Sequence, residues 1–295
     1  MLRSWPLGAP ARGYRSRSTA TPARSISIRS PEASSQWPKP LGTSPARERL
    51  NFGNPRDPEI YWQFEGCVRG IAEACEVLGT PVVSGNVSFY NESDDGAVLP
   101  TPLIGMLGIL EEAEQRIGMA PPADAQLGLI WIDLPDVPAG GLGASELLSR
   151  VHGFEDGLPV PPDLPGERAL CRLLVDLVAQ GRVQAAHDSA EGGRAVTLAE
   201  MAIVARTGLV ATLPAELGCG RTDALLFGER PGEVVVAYRE SDLARIEAMT
   251  REAGLRFAPI GRTTTDGFIV IEPGVRIALG EATSVYENAI PSAMG

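Results

Sequence analysis

The chain has 295 residues, 44% of them hydrophobic, enough for one large domain or two modest ones with cores of their own. A formal net charge of −11 makes the chain a poor candidate for a nucleic-acid binder, which needs a basic footprint. No apolar run approaches the roughly 20 residues that cross a bilayer, and no signal peptide with an apolar centre is found, so a cytoplasmic protein without membrane or nucleic-acid partners is expected.

The first 49 residues differ from the rest. They hold nine Lys/Arg and two acidic residues, Glu32 and Glu48, a net +7; the remainder holds 17 basic and 35 acidic residues, a net −18. Rich in Ser, Pro and Arg and without a sustained period of 2 or 3.6, residues 1–49 read as a disordered tail. Three origins compete: a transit-like leader interrupted by prolines, a basic tail for an acidic partner, or a false start or frame shift.

From Leu50 onward strands and helices alternate. Asp57 followed by Pro58 is a strong helix start, Gly79 a natural stop, and Phe64, Val68, Ile71, Cys75 and Leu78 recur on one apolar face between them. "PVVSG" (81–85) reads as a buried strand, and "PLIGMLGIL" (102–110), apolar throughout, as a central one. Residues 115–126 form a Pro/Ala/Asp-rich connection. "LGLIWIDLP" (127–135) opens a second unit with a buried strand, and "GGLGASELL" (140–148) is a Gly-rich turn entering a helix. A helix follows over 166–181, with Leu170, Leu174 and Leu177 inward and Gly181 as its stop. Residues 185–208 read as a turn and then a helix; "EVVVAYRE" and "FIVIE" are further strands. The class is α+β. Cys67, Cys75, Cys171 and Cys219 form no CxxC and read as small core residues.

Two motifs carry candidate chemistry. In "SGNVS" (84–88), Gly-Asn fits a tight hairpin turn. The same residues also suit a nucleotide–metal site: Gly85 lets backbone approach a phosphate, the Asn86 amide oxygen is a hard ligand for Mg²⁺, and Ser88 lies on the same side of a strand as Asn86. In "HDSAEGG" (187–193), Asp188 and Glu191 fit a capping box. His187 beside Asp188 is either an acid–base pair or a packed, hydrogen-bonded residue. No nucleophile–base–orienter set can be assembled, so no catalytic residue is assigned.

Several long stretches in one order carry a family resemblance: "LNFGNPRDPEIYWQFEGCVRGIAEACEVLGTPVVSGNVSFYNES", "PTPLIGMLGIL", "AAHDSAEGG", "LLFGERPGEVVVA" and "YENAIP". Over residues 50–295 the chain resembles phosphoribosylformylglycinamidine synthase, in its PurL-type synthetase subunit form, of the PurM-like superfamily. The resemblance implies a partial ATP-binding α+β domain over 50–118 and a PurM-like C-terminal α/β domain over 119–295. It implies a ligase of purine biosynthesis that uses ATP and Mg²⁺ to convert formylglycinamide ribonucleotide and ammonia to formylglycinamidine ribonucleotide. Ammonia would come from a glutaminase subunit, and a small third subunit would help assembly. Matched position by position, Gly85 implies an ATP contact, Asn86 a magnesium ligand and Ser88 a substrate contact. Just before "LNFG" the family has Thr-Asp-Cys, whose Asp contacts ATP; this chain has Glu48-Arg49, so Glu48 is the acidic candidate there.

The family is much longer, and its catalytic histidines and other metal-binding carboxylates fall in a first half without counterpart here. A C-terminal fragment, inactive alone, is therefore expected. Because resemblance and composition change at the same place, a false start or frame shift is the preferred origin of the tail. Two other readings stay open: a relative such as an aminoimidazole ribonucleotide or selenophosphate synthetase, and a non-catalytic nucleotide-binding or assembly half of a split synthetase. Arg194 stands where the family has an apolar residue, so altered helix packing is expected there.

Overall fold

The computed structural model describes residues 46–94, 96–108 and 116–294. In chain order they form β1 (Ala46–Asn51), α1 (Pro58–Leu78), β2 (Val82–Ser88), the short β3 (Glu92–Ser93) and β4 (Gly96–Ala97), β5 (Thr101–Met106) and β6 (Gln126–Trp131). Then follow α2 (Leu164–Ala179), β7 (Val183–Asp188), α3 (Gly193–Ala205), β8 (Gly208–Thr212), α4 (Thr222–Phe227) and β9 (Glu233–Tyr238). The chain closes with α5 (Leu243–Glu252), β10 (Arg256–Thr264), β11 (Phe268–Glu272), β12 (Val275–Ala278) and α6 (Leu279–Met294). The mixed α+β class expected from the sequence is observed.

A three-stranded sheet has the order β2-β1-β5. β1 runs parallel to β2 and antiparallel to β5, and α1 is the crossover that parallel pairing requires. Asp57 caps α1 by accepting the Glu59 N–H at 2.8 Å, and Gly79 ends it at φ 72°, both as expected. The helix covers one face of the sheet: Leu50, Phe52 and Ile71 are buried together, with Ile60, Phe64, Cys67 and Cys75 against them. Phe64 stacks edge-on between Phe52 (5.5 Å) and Phe89 (5.0 Å), pinning the end of β2 to the helix. Val68, expected on the inner face, is 40% exposed.

Three expectations are corrected here. Part of the tail as read from sequence lies in a strand: Ala46 to Arg49 belong to β1, the centre of the sheet. Their charges hid a strand whose inward positions, Ala46 and Leu50, are apolar and buried. Residues 1–45 lie outside the described residues. "PLIGM" forms β5 at an edge, not at the centre, and β2 is the other edge and is exposed rather than buried. The end of the expected 102–110 strand, at 109–110, and the first residue of the 115–126 connection lie outside the described residues.

The second sheet has seven strands, ordered β12-β11-β8-β10-β6-β9-β7. Only β8 and β11 pair in parallel. Both faces are covered. Leu127, Leu129 and Trp131 of β6 face α3 and α4 through Leu198, Met201, Leu225 and Leu226. Ile130 and Ile132 point the other way, toward α2 and α5 through Leu170, Leu174, Leu177 and Ile246. A strand buried on both sides reads as a continuous apolar run, which is why this one was legible. The helix expected over 166–181 is α2, capped by Asp163 through the Gly166 N–H at 3.2 Å. "AAHD", expected as a turn, is the end of β7, and the turn begins after it. The helix expected after the Gly-rich turn is one wide π-type turn, Leu147–His152. The cysteines are all free thiols; Cys67, Cys75 and Cys171 are half-buried, and Cys219 is exposed rather than in a core.

No helix among the described residues is long and apolar enough to cross a membrane.

Candidate functional site

Gly85 and Asn86 do not turn the chain. They lie in mid-strand, with Gly85 opposite Glu48 and Asn86 opposite Arg49 of β1. The hairpin alternative is thereby overturned. The chain turns only after Ser88, with Tyr90 at φ 61°. Asn91 holds that turn: its Nδ2 donates to the Ser88 carbonyl at 2.9 Å and to the Phe52 carbonyl at 3.1 Å, and its side chain also meets the Ser88 hydroxyl.

Strand alternation divides the four candidate residues between two faces. Glu48 and Gly85 share the α1 side with Leu50 and Val87. A Cβ at Gly85 would meet Glu48 Cγ at 2.7 Å, so glycine makes room for that carboxylate to cross β2. Glu48 also reaches toward α1: burial first, and then the Glu48 charge, pushes the Cys75 thiol above its usual range. Asn86 and Ser88 share the opposite, open face, as expected, Asn86 exposed and Ser88 half-buried. The structure therefore pairs Glu48 with Gly85 and Asn86 with Ser88, and sets the two pairs on opposite sides of β2.

A magnesium ion is implied by the resemblance. Asn86 offers one neutral oxygen, and its cross-strand neighbour Arg49 is a cation. Among the described residues no group of three or more His, Cys, Asp or Glu could hold a metal ion. These residues do not by themselves make a magnesium site, which needs several hard oxygens around the ion.

The "HDSAEGG" stretch forms a second polar corner. His187, on β7, is buried; its Nε2 lies 2.8 Å from Glu200 Oε2 and its Nδ1 3.5 Å from Asp188 Oδ1. Burial alone would lower its pKa. The hydrogen bonds and charges of Asp188 and Glu200 outweigh that and push it up to about 9. The ring is thus a charged, packed group at neutral pH and not a free base. The expected capping box does not form. α3 starts at Gly193 after Gly192, and it is Glu229 that accepts the Gly192 N–H, at 2.8 Å, together with the Glu146 N–H at 2.8 Å. Gly193 sits at φ 65° where a Cβ would meet the Phe227 carbonyl carbon at 2.7 Å, so the helix docks tightly.

Two features escaped sequence reading. Glu167, in the first turn of α2, is pushed up to about 7 by burial and by Asp163 and Asp188. Arg194 does not merely disturb helix packing. It is fully buried, donating to Glu233 at 2.5 Å and to the Leu225 carbonyl at 2.9 Å, while Arg230 lies 2.8 Å from the same Glu233 oxygen. Its only sequence signal was a basic residue followed by a mostly apolar helix.

Against this geometry, the family of AIR synthase related proteins matches twice. Its N-terminal domain matches residues 48–110 and its C-terminal domain residues 129–272.

The chain belongs to the AIR synthase related family.

It is 39% identical over 249 residues to phosphoribosylformylglycinamidine synthase subunit PurL of Moorella thermoacetica, covering 83% of this chain and 33% of that one. It is 42% identical over 228 residues to the PurL subunit of Deinococcus radiodurans, covering 73% and 29%. The chain thus spans about a third of the length of the curated relatives it matches. T. maritima PurL complexed with ATP shares the fold with a TM-score of 0.60 at 13% identity, over 80% of this chain and 37% of that one. T. maritima PurL complexed with FGAR does so with a TM-score of 0.63 at 15% identity, over 80% and 39%. The family's N-terminal match starts at residue 48, so the family likeness reaches two residues upstream of Leu50, where the sequence reading ended it.

Proposed function

We propose that the chain contributes part of an ATP-dependent synthetase. That synthetase converts formylglycinamide ribonucleotide and ammonia to formylglycinamidine ribonucleotide in purine biosynthesis. The observation that carries this reading is identity of 36–42% to PurL subunits over most of the chain. On this reading the division between its two PurM-like units falls near residues 118 and 119, and its location is cytoplasmic.

On this reading Gly85 serves ATP through its backbone, Ser88 serves the ribonucleotide, and Asn86 lends one oxygen to a magnesium ion whose other ligands come from elsewhere; Glu48, the other ATP candidate, stands on the opposite face of β2, its side chain over Gly85. These roles suit the chemistry of neutral groups that position phosphates while a cation draws off charge. A glutaminase subunit and a small assembly subunit would be the partners of the whole enzyme.

Stabilising a phosphorylated intermediate requires donors and metals converging on one point. The described residues supply too few. We therefore expect the purified chain, given formylglycinamide ribonucleotide, Mg-ATP and excess ammonia, to form no formylglycinamidine ribonucleotide. Ammonia bypasses the glutaminase, so the assay isolates the synthetase step. Turnover by the chain alone at roughly 1 per second or faster would overturn this assignment of the chemistry.

A further inference from the structure

α6 is held to the rest of the protein near its start. Leu279 and Ala282 pack against the core that contains Leu198, Met201 and Ala202 of α3. The Leu279 N–H donates to the Gly267 carbonyl at 2.9 Å, and Arg206, at the end of α3, lies 3.2 Å from Glu287. From Ser284 to Met294 every residue is exposed. The other α-helices described all bury residues, and α6 buries none.

The sequence of α6 is not that of a helix surrounded by water. Val285, Tyr286, Ala289, Ile290, Ala293 and Met294 recur at three- and four-residue spacing, which makes one uncharged stripe. Val285 is 69% exposed, Ile290 72%, Met294 82% and Tyr286 49%. Glu281, Glu287 and Pro291 fall outside the stripe. A helix this short, with a proline inside it, is marginal in water unless a face of it is packed.

The stripe is complementary to itself. Two α6 helices can lie antiparallel about a two-fold axis that passes between Ala289 and Ile290. Tyr286 then falls opposite Ala293, Ile290 opposite Ala289, and Val285 opposite Met294. Two of these three pairs set a large side chain against a small one, so the rows interdigitate and the axes approach to about 8 Å. Glu287 falls opposite Ser292 and Glu281 lies beyond the paired turns, so no like charges meet. The stripe offers on the order of 500 Å² per copy, and pairing two copies buries about 1,000 Å², the lower end for a specific interface.

We propose that two copies of this chain associate through an antiparallel pairing of α6, as a weak and reversible dimer with a dissociation constant of about 1–100 μM.

Sedimentation equilibrium of the full chain from micromolar to millimolar concentration tests this. A monomer–dimer equilibrium is expected. Ile290→Glu, which places a charge at the centre of the pair, should weaken it about tenfold or more. Val83→Glu, on the exposed edge strand β2, should leave it unchanged. Tyr286→Ala and Ala293→Tyr each spoil a large–small pair and should each weaken association. The double variant Tyr286→Ala/Ala293→Tyr exchanges the two members of that pair and should restore it, which general stickiness would not do. Unfolding midpoints show that each variant keeps its fold, and the exchange decides the matter if Ile290→Glu does not fold. A chain that stays monomeric at millimolar concentration would overturn the proposal. So would association that Ile290→Glu leaves unchanged, association that Val83→Glu abolishes, or an Ala293→Tyr variant that associates more tightly than the unaltered chain.

Discussion

The two sheets of this protein both carry large apolar side chains, and those side chains have opposite fates. β6 and β9 are buried on both faces, with Val235 and Val236 packed into different cores. β2 and β5 also carry large apolar side chains, yet Val83 is 61% exposed and Leu103 55% exposed. The difference lies in what covers them. Four helices flank β6 and β9 within the chain, whereas the three-stranded sheet has α1 on one side and nothing described on the other. Hydrophobicity thus marks a strand without saying that this chain buries it. The candidate ligand residues lie on the sheet that is left open, and the closed sheet carries most of the packing.

That contrast can be broken by substitution. The largest effect is expected from Glu233→Ala. It leaves Arg194 and Arg230 buried without their shared counter-charge, and loss of one partner from a buried ionic network costs about 3–5 kcal/mol. Urea unfolding of the full chain would measure it. Next, Leu174→Ala in the closed core, where the side chain is fully buried, should cost about 2–5 kcal/mol by the same measurement. The comparison turns on its counterpart: Leu103→Ala on the open sheet should stay within about 0.5 kcal/mol.

Between these lies a pH effect. The pKa of His187 is raised to about 9 from 6.5, so its contribution is fully present below pH 6.5 and is lost as pH rises through 9. Glu167, raised to about 7 from 4.5, acts in the same direction: its contribution is present below pH 4.5 and lost as pH rises through 7. The melting temperature should therefore fall between pH 6 and 9. Glu167→Gln should flatten the lower part of that fall and Glu200→Gln the upper part. An unchanged slope in both variants would remove these two groups from the account.

The same contrast explains what the sequence disclosed. α1 was readable because Asp57 and Gly79 are local signals whose partners lie within a turn, and α2 because Leu170, Leu174 and Leu177 recur on one face ahead of Gly181. β6 was readable because burial on both faces leaves an uninterrupted apolar run. β1 was not, since Arg47 and Arg49 carry charge on one face and Glu48 interrupts the other, leaving Ala46 and Leu50 as its only buried apolar positions. The cap of α3 was misread for a different reason. Asp188 and Glu191 had the right spacing, but Glu229, 37 residues from Gly192, fills the role through a tertiary contact. In the candidate site, strand alternation placed Asn86 and Ser88 on one face. That Glu48 crosses Gly85 on the other could be seen only once β1 was known to pair with β2.

The most direct test of where ligand chemistry resides is hydrogen–deuterium exchange of the full chain with and without millimolar Mg-ATP. The account predicts slowed exchange in peptides covering residues 46–51 and 82–91, with residues 183–205 of the His187 corner unchanged. Slowed exchange in 183–205 with none in 82–91, or none anywhere, would contradict it.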